Sequence, residues 1–299
     1  MESIKSWFAS PATRNKIQTK LETRYGLVAG STTREDGKVQ AGWVTLQGKR
    51  PGQEDSVFCK FEEHDSCSTV GCFGVFDGHG GPDASRFVRD NLYEILLNHP
   101  DFKENPFKAV EEAFVETDRR YLEVANKHNH DDGTTALVAV LVDQRLILAH
   151  VGDSRAVLGF QKRAVPLSRD HKPNRSDEKI RIERTGGSVT YSGTWRVEGV
   201  LAVSRSFGNR YLKEFVIPYP EIREDVLDAD NTVLVLGSDG LWDVMTNQEA
   251  VKLACKHPDA ETAARVLAAE AYLRGSQDNI SVIVCHFKFP AGPGRTQSM

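Results

Sequence analysis

The sequence predicts an α+β fold built around antiparallel sheet, and three observations carry that prediction. Six short runs rich in β-branched residues, at 71–76, 134–142, 145–151, 155–160, 232–236 and 280–287, are bounded by turn residues. Only Asp143-Gln144 separates two of them, and Asp153-Ser154 lies in another short link. Such links join antiparallel neighbours, because a parallel crossover needs a dozen residues or more. Several runs are apolar at nearly every position, so both sheet faces are expected to be covered. Strand runs and helix runs are segregated rather than alternating, which argues against a doubly wound nucleotide fold.

The helices follow in order. Ala84, Val88, Leu92 and Ile95 share one face of a helix opened by Pro82. A second starts at Asn105-Pro106 and carries Val110, Phe114, Thr117 and Tyr121 on one side. Thr246 and Glu249 form a capping box for a helix over 247–256. A fourth runs over about 260–274, with Gly275 suited to its C′ position. Residues 29–38 (AGSTTREDGK) are polar and Gly-rich and read as a linker. The expected organisation is an N-terminal extension over 1–38, one catalytic domain over 39–289 and a disordered Pro/Gly-rich tail over 290–299.

At 299 residues, 39% hydrophobic and 27% charged, the chain is an ordinary globular protein with enough length for a large core. Lys and Arg total 38 against 42 Asp and Glu, a net charge of −4, so electrostatic wrapping of nucleic acid is not expected. No apolar run reaches the ~18 residues of a membrane span. Five cysteines without a CxxC read as free thiols in a reducing compartment. Residues 1–23 mix Ser/Thr with Lys/Arg, slightly like a transit peptide, but Glu2 and Glu22 interrupt that pattern. A cytoplasmic or nuclear monomer is the expectation.

The chemistry concentrates at strand ends. Asp77 follows one apolar run and precedes Gly78-His79-Gly80-Gly81; Asp239 follows another, with Asp243 four residues on; Asp278 precedes a third. One Asp-Gly alone is ordinary turn chemistry. Several strand-end carboxylates without Cys or His ligands suit a hard cation, Mg²⁺ or Mn²⁺, and Gly78 allows a main-chain carbonyl to approach it. The loop Arg50-Pro51-Gly52-Gln53-Glu54-Asp55 adds a guanidinium, whose fork fits phosphate oxygens, and two adjacent carboxylates. Asp153 stands in a further acidic turn, where a purely structural reading is stronger. No GxSxG, Walker A or HExxH is present.

These segments resemble the type 2C metal-dependent serine/threonine protein phosphatases. Arg50…Glu54-Asp55, Phe76–Gly81, Asp132–Thr135, Val151–Arg155, Asp170–Pro173, Gly199–Arg205, Ser238–Asp243 and Gln277–Asn279 occur in the family's order and span about 40–288. The stretches 193–197 and 210–213 look most like plant and green-lineage members. The resemblance implies a central β-sandwich flanked by helices on both faces, in four α-β-β-α layers. It implies dephosphorylation of phosphoserine and phosphothreonine in phosphorylated proteins, by hydroxide at a two-cation centre and without a phospho-enzyme. Asp77 would bridge the two Mn²⁺ or Mg²⁺ ions. Glu54 and the Gly78 carbonyl would complete one shell, and Asp239 and Asp278 the other. Asp55 and Asp243 would orient bound waters, and Asp153 with Asp239 would hold a third, weaker ion. Arg50 would bind the substrate phosphate and His79 would protonate the leaving alkoxide.

The sequence departs from the family at one place: Ser204-Arg205-Ser206-Phe207-Gly208 ends in Asn209, where the family often has Asp. A catalytically weak relative acting as a scaffold is the alternative function, and the intact set of metal carboxylates argues against it. A phosphatase of small esters is a third reading. Among the other residues, Trp195 in the family's flap either contacts partners or pins the flap. His128 and His130 read as solvated, His150 and His171 as structural, and Lys179, Arg181 and Arg184 as a solvated helix face.

Overall fold

The computed structural model describes residues 11–64 and 68–290. The tail expected beyond 290, Cys67 and residues 1–10 of the N-terminal stretch lie outside the described residues.

Two antiparallel sheets face each other. The first runs in the order Leu27–Thr33, Val39–Leu46, Ile280–Phe287, Asn231–Gly237, Arg155–Phe160, Arg163–Pro166. The second runs Glu221–Val226, Arg145–Val151, Ala136–Val142, Ser68–Phe76, Ser56–His64. The period-two alternation of side chains sorts each strand between two layers. Phe73 and Val75 meet Leu234, Leu236 and Ile283 between the sheets. Their neighbours Val70, Cys72 and Phe76 face the helices Asp83–Leu97 and Pro106–His128. On the first sheet Val233, Val235, Val282 and Val284 face Asn247–Ala254 and Ala260–Leu273. The result is helix, sheet, sheet, helix. Each fully buried Val, Leu or Phe in these layers contributes about 1.5–3 kcal/mol, so the strands are held by both of their faces.

The helices begin and end as their sequences dictate. Ala84, Val88, Leu92 and Leu96, spaced four apart, are buried. The Asn105 side chain accepts from Lys108 N and left-handed Asn129 closes the other end of that helix. The Thr246/Glu249 capping box forms on a helix that stops at Ala254.

Two expectations change. The first half of the supposed linker over 29–38 belongs to an edge strand, Leu27–Thr33, paired along its length with Val39–Leu46, and only 34–38 form the turn between them. An edge strand tolerates Ser and Thr on its water-facing side, and a polar composition therefore hid it. The run over 134–142 breaks at Thr135 into Gly133–Thr134 and Ala136–Val142, because Thr135 N–H turns aside to Asp77 O at 2.9 Å.

Candidate active site

Antiparallel pairing places Phe76 beside Ser56, Val151 beside Ala136 and Gly237 beside Val282, so the segments that follow or precede these residues share one rim. A cleft of about 300 Å³ opens there. Its walls include Arg50, Glu54, Asp77, Gly78, His79, Asp153, Asp239 and Asp278, eight residues drawn from five separate stretches of sequence. Asp55 is buried, and Asp243 stands one helical turn beyond Asp239; neither lines this cleft.

Backbone and amide hydrogen bonds build the rim. Asp77 N–H donates to Thr135 Oγ1 at 3.1 Å, and that hydroxyl pairs with Ser154 Oγ at 2.8 Å, which ties the Asp77 turn to the Asp153 turn. Asn279 shapes the loop that carries Arg50 and Glu54. Its Nδ2 donates to Gln47 O and Gly52 O at 2.8 and 2.9 Å, and its Oδ1 accepts from Glu54 N at 2.9 Å. Gly240 lets the Asp239 turn close onto this segment, since a Cβ there would lie 2.0 Å from Asn279 O. Asn279 was visible in a motif, but its role depends on what it faces after folding.

Carboxylate oxygens of Asp77, Asp153 and Asp239 all lie within 4.8 Å of one another. Two full charges at that separation repel by about 3 kcal/mol or more, even at an effective dielectric constant of about 20. Burial, then the charges of Asp55, Asp239 and Asp153, raises Asp77 well above the carboxylate range. Burial followed by Asp153 and Asp278 does the same to Asp239, and Asp55 is pushed up to about 7, chiefly by burial. Lys172 offsets one charge through an ion pair with Asp153. An all-oxygen donor set carrying this much negative charge fits a hard divalent cation. Arg50 is half-exposed and its Nη2 donates to Asp278 Oδ2 at 2.6 Å. His79 Nε2 lies 2.8 Å from Asn209 Oδ1. Burial holds the His79 pKa below its ordinary value, with the Asn209 bond opposing.

A larger hollow of about 780 Å³ lies elsewhere, lined in part by His150, Arg155, Arg175 and Glu221. His150, His171 and Glu221 converge there with metal-like spacing. Their hydrogen bonds argue against a cation. His150 Nε2 faces Arg169 O at 3.0 Å and therefore carries a hydrogen. His171 Nδ1 accepts from Gly152 N, which leaves the hydrogen on the Nε2 that faces Glu221 at 3.5 Å. The trio braces the Gly152-Asp153 turn, in keeping with the structural roles expected for both histidines.

The solvated-face expectation fails for Arg181. Its guanidinium donates to Phe215 O, Ser204 O and Glu178, and so ties the helix Ser176–Arg184 to residues 204–215. Trp195 meets Tyr191 edge-on at 5.3 Å between ring centroids, with the Lys179 ammonium 6.0 Å from its own. The first contact lies within the hairpin Val189–Ser192/Thr194–Val197, and the second ties it to the helix Ser176–Arg184.

The family model described as Protein phosphatase 2C matches residues 40–280. "Probable protein phosphatase 2C member 13, mitochondrial" from Oryza sativa subsp. japonica is 51% identical over 88% of this chain and 72% of its own length. "Probable protein phosphatase 2C 59" from Arabidopsis thaliana is 46% identical over 88% and 84%. The crystal structure of a serine-threonine phosphatase 2C from Toxoplasma gondii superposes with a TM-score of 0.80 at 26% identity, covering 88% of this chain and all of that one. The mitochondrial name of the rice relative overturns the cytoplasmic or nuclear placement expected from the sequence. No helix among the described residues is long and apolar enough to cross a membrane.

Proposed function

The chain belongs to the protein phosphatase 2C family, and from that premise we propose a role for each residue of its cleft. It is a metal-dependent phosphatase of phosphoserine and phosphothreonine in proteins. Asp77, Glu54, the Gly78 carbonyl, Asp239 and Asp278 would together hold Mn²⁺ or Mg²⁺, with Asp77 the central carboxylate. Asp153, with Asp239, would hold a third, weaker ion. When bound, such cations neutralise phosphate oxygens and make water acidic enough to supply a nucleophile. The protein's own groups do the rest. Arg50 grips the phosphate with its planar fork. His79 gives a proton to the departing serine or threonine oxygen. Asp55 and Asp243, set back from the cleft wall, orient water.

The observation that carries this assignment is the convergence of Asp77, Asp153 and Asp239 oxygens within 4.8 Å, in a buried setting that disfavours the charge of Asp77 and Asp239. Phosphate release from a phosphoserine peptide tests it. Activity is expected to vanish in EDTA, to return with Mn²⁺ or Mg²⁺, and to be nearly lost in Asp239→Asn. Full activity in chelator, or a fully active Asp239→Asn, would refute it.

A further inference from the structure

His79 has a support built for it alone. Three short segments, Gly78–His79, Gly133–Thr134 and Phe207–Gly208, pair side by side, and the last of them delivers Asn209. The Asn209 Oδ1 atom faces His79 Nε2 at 2.8 Å and takes the Ser206 hydroxyl at 2.6 Å. A carbonyl oxygen only accepts, so His79 Nε2 carries a hydrogen and proton exchange with substrate falls to Nδ1. Asn209 is itself fixed. It is buried, its N–H donates to Asp132 O at 3.0 Å, and its φ of 52° is a left-handed conformation that Asn tolerates better than most residues. Gly133 makes the approach possible. A Cβ there would stand 2.1 Å from Asn209 Oδ1 and 2.6 Å from His79 Nε2.

We propose that Asn209 is a positioning residue for the phosphatase reaction, holding the His79 imidazolium by its Nε2–H in the one orientation that presents Nδ1–H to the leaving oxygen. As the P–O bond breaks, its electron pair stays on the serine or threonine oxygen. The Nδ1 proton passes to that oxygen, the imidazole is left neutral with Nε2–H still on Asn209, and solvent returns the proton before the next turnover. A neutral amide performs this task without adding charge to an already anionic cleft. The inference rests on the reading of His79 as general acid, and the test separates the two.

The test compares the Mn²⁺-loaded wild type with Asn209→Ala, Asn209→Asp, His79→Gln and the double variant His79→Gln/Asn209→Ala, each with a thermal melt to establish folding. Substrates are a phosphoserine peptide, which leaves as a basic alkoxide, and p-nitrophenyl phosphate, which leaves as a stabilised phenolate. Asn209→Ala is expected to lower kcat on the peptide by roughly 10- to 100-fold, part of the ~10²–10⁴-fold that general acid catalysis contributes. KM should stay unchanged, and the aryl ester should be slowed much less. Asn209→Asp, which keeps an oxygen on Nε2, should recover most of the loss, and Asn209→Ala should add nothing in the His79→Gln background. Equal slowing of both substrates, or a full further loss in the double variant, would overturn the proposal. If His79→Gln leaves the peptide-to-aryl ratio unchanged, the reading of His79 fails and the proposal falls with it. If His79→Gln lowers that ratio and Asn209→Ala does not, only the role of Asn209 fails.

Discussion

Arg50 is bound to Asp278 in this structure at 2.6 Å, and both residues are assigned to other partners during the reaction. The Asp278 contact raises the guanidinium pKa further, so Arg50 stays charged throughout. A cation on Asp278 would free the fork of Arg50 for phosphate. Arg50→Ala is therefore expected to raise KM for a phosphoserine peptide and to weaken inhibition by free phosphate in parallel. A lost charge-assisted pair is worth about 1.5–3 kcal/mol, or about 10- to 150-fold in kcat/KM. Steady-state kinetics on both ligands decide it, and unchanged values would remove Arg50 from the site. At this scale the carboxylates were legible, because Asp at a strand end beside Gly, without Cys or His, points to a hard cation. The roles of Asn209, Asn279 and Lys172 were not. Amides and ammonium groups take their meaning from the atom they face, and each of these faces a residue distant in sequence.

One buried carboxylate fixes the helix Ser176–Arg184, on which the flap over 186–200 packs through Ile182, Val189 and Val197, to residues 204–205. Glu178 is 1% exposed, and it accepts from Arg205 at 2.6 Å, Arg181 at 2.9 Å and Ser204 Oγ at 2.7 Å. Burial pulls its pKa upward, but the Arg205 and Arg181 hydrogen bonds win and hold it at about 2. Because the folded value lies below the unfolded one, this contribution is complete above about pH 4.5 and fades as pH falls toward 2. Glu178→Gln leaves two guanidinium groups short of a counter-charge, at a cost of about 3–5 kcal/mol. Denaturant unfolding should show that loss, and limited proteolysis should cut the 186–200 region faster. A variant with wild-type stability and cleavage would show that the flap is held elsewhere. The same scale explains which elements were missed. Glu221–Val226 (EIREDV) is an edge strand with charges on both faces, and Arg163–Pro166 is short and ends in Pro. Neither carries the alternation that reveals a strand, whereas 71–76 and 280–287 do so through burial on both faces.

The four layers bring Asp77 and Asp239 together from far apart in sequence, one from each sheet. The antiparallel core was legible because the links between its strands are too short for any other pairing. The cleft's energetics were not, since they arise only when the sheets close. Protons hold the metal-free cluster together: the raised values of Asp77, Asp239 and Asp55 mean that the folded chain binds more protons than the unfolded one. Metal-free stability should therefore fall as pH rises from the ordinary carboxylate range of about 4 through about 7. The rise in Tm on adding Mn²⁺ should be larger near about pH 8 than near about pH 5. Asp239→Asn should melt higher than wild type without metal and gain less from it. Melting curves at the two pH values check both points, and a gain independent of pH would count against the cluster as the cation site. The most direct measurement is a calorimetric titration of chelator-stripped protein with Mn²⁺ at neutral pH, wild type beside Asp77→Asn. Tight uptake of two ions per chain is expected of the wild type, with the third site filling only at higher Mn²⁺, and loss of the tight binding in the variant; equal Mn²⁺ binding by the two proteins, or none by the wild type, would contradict the assignment.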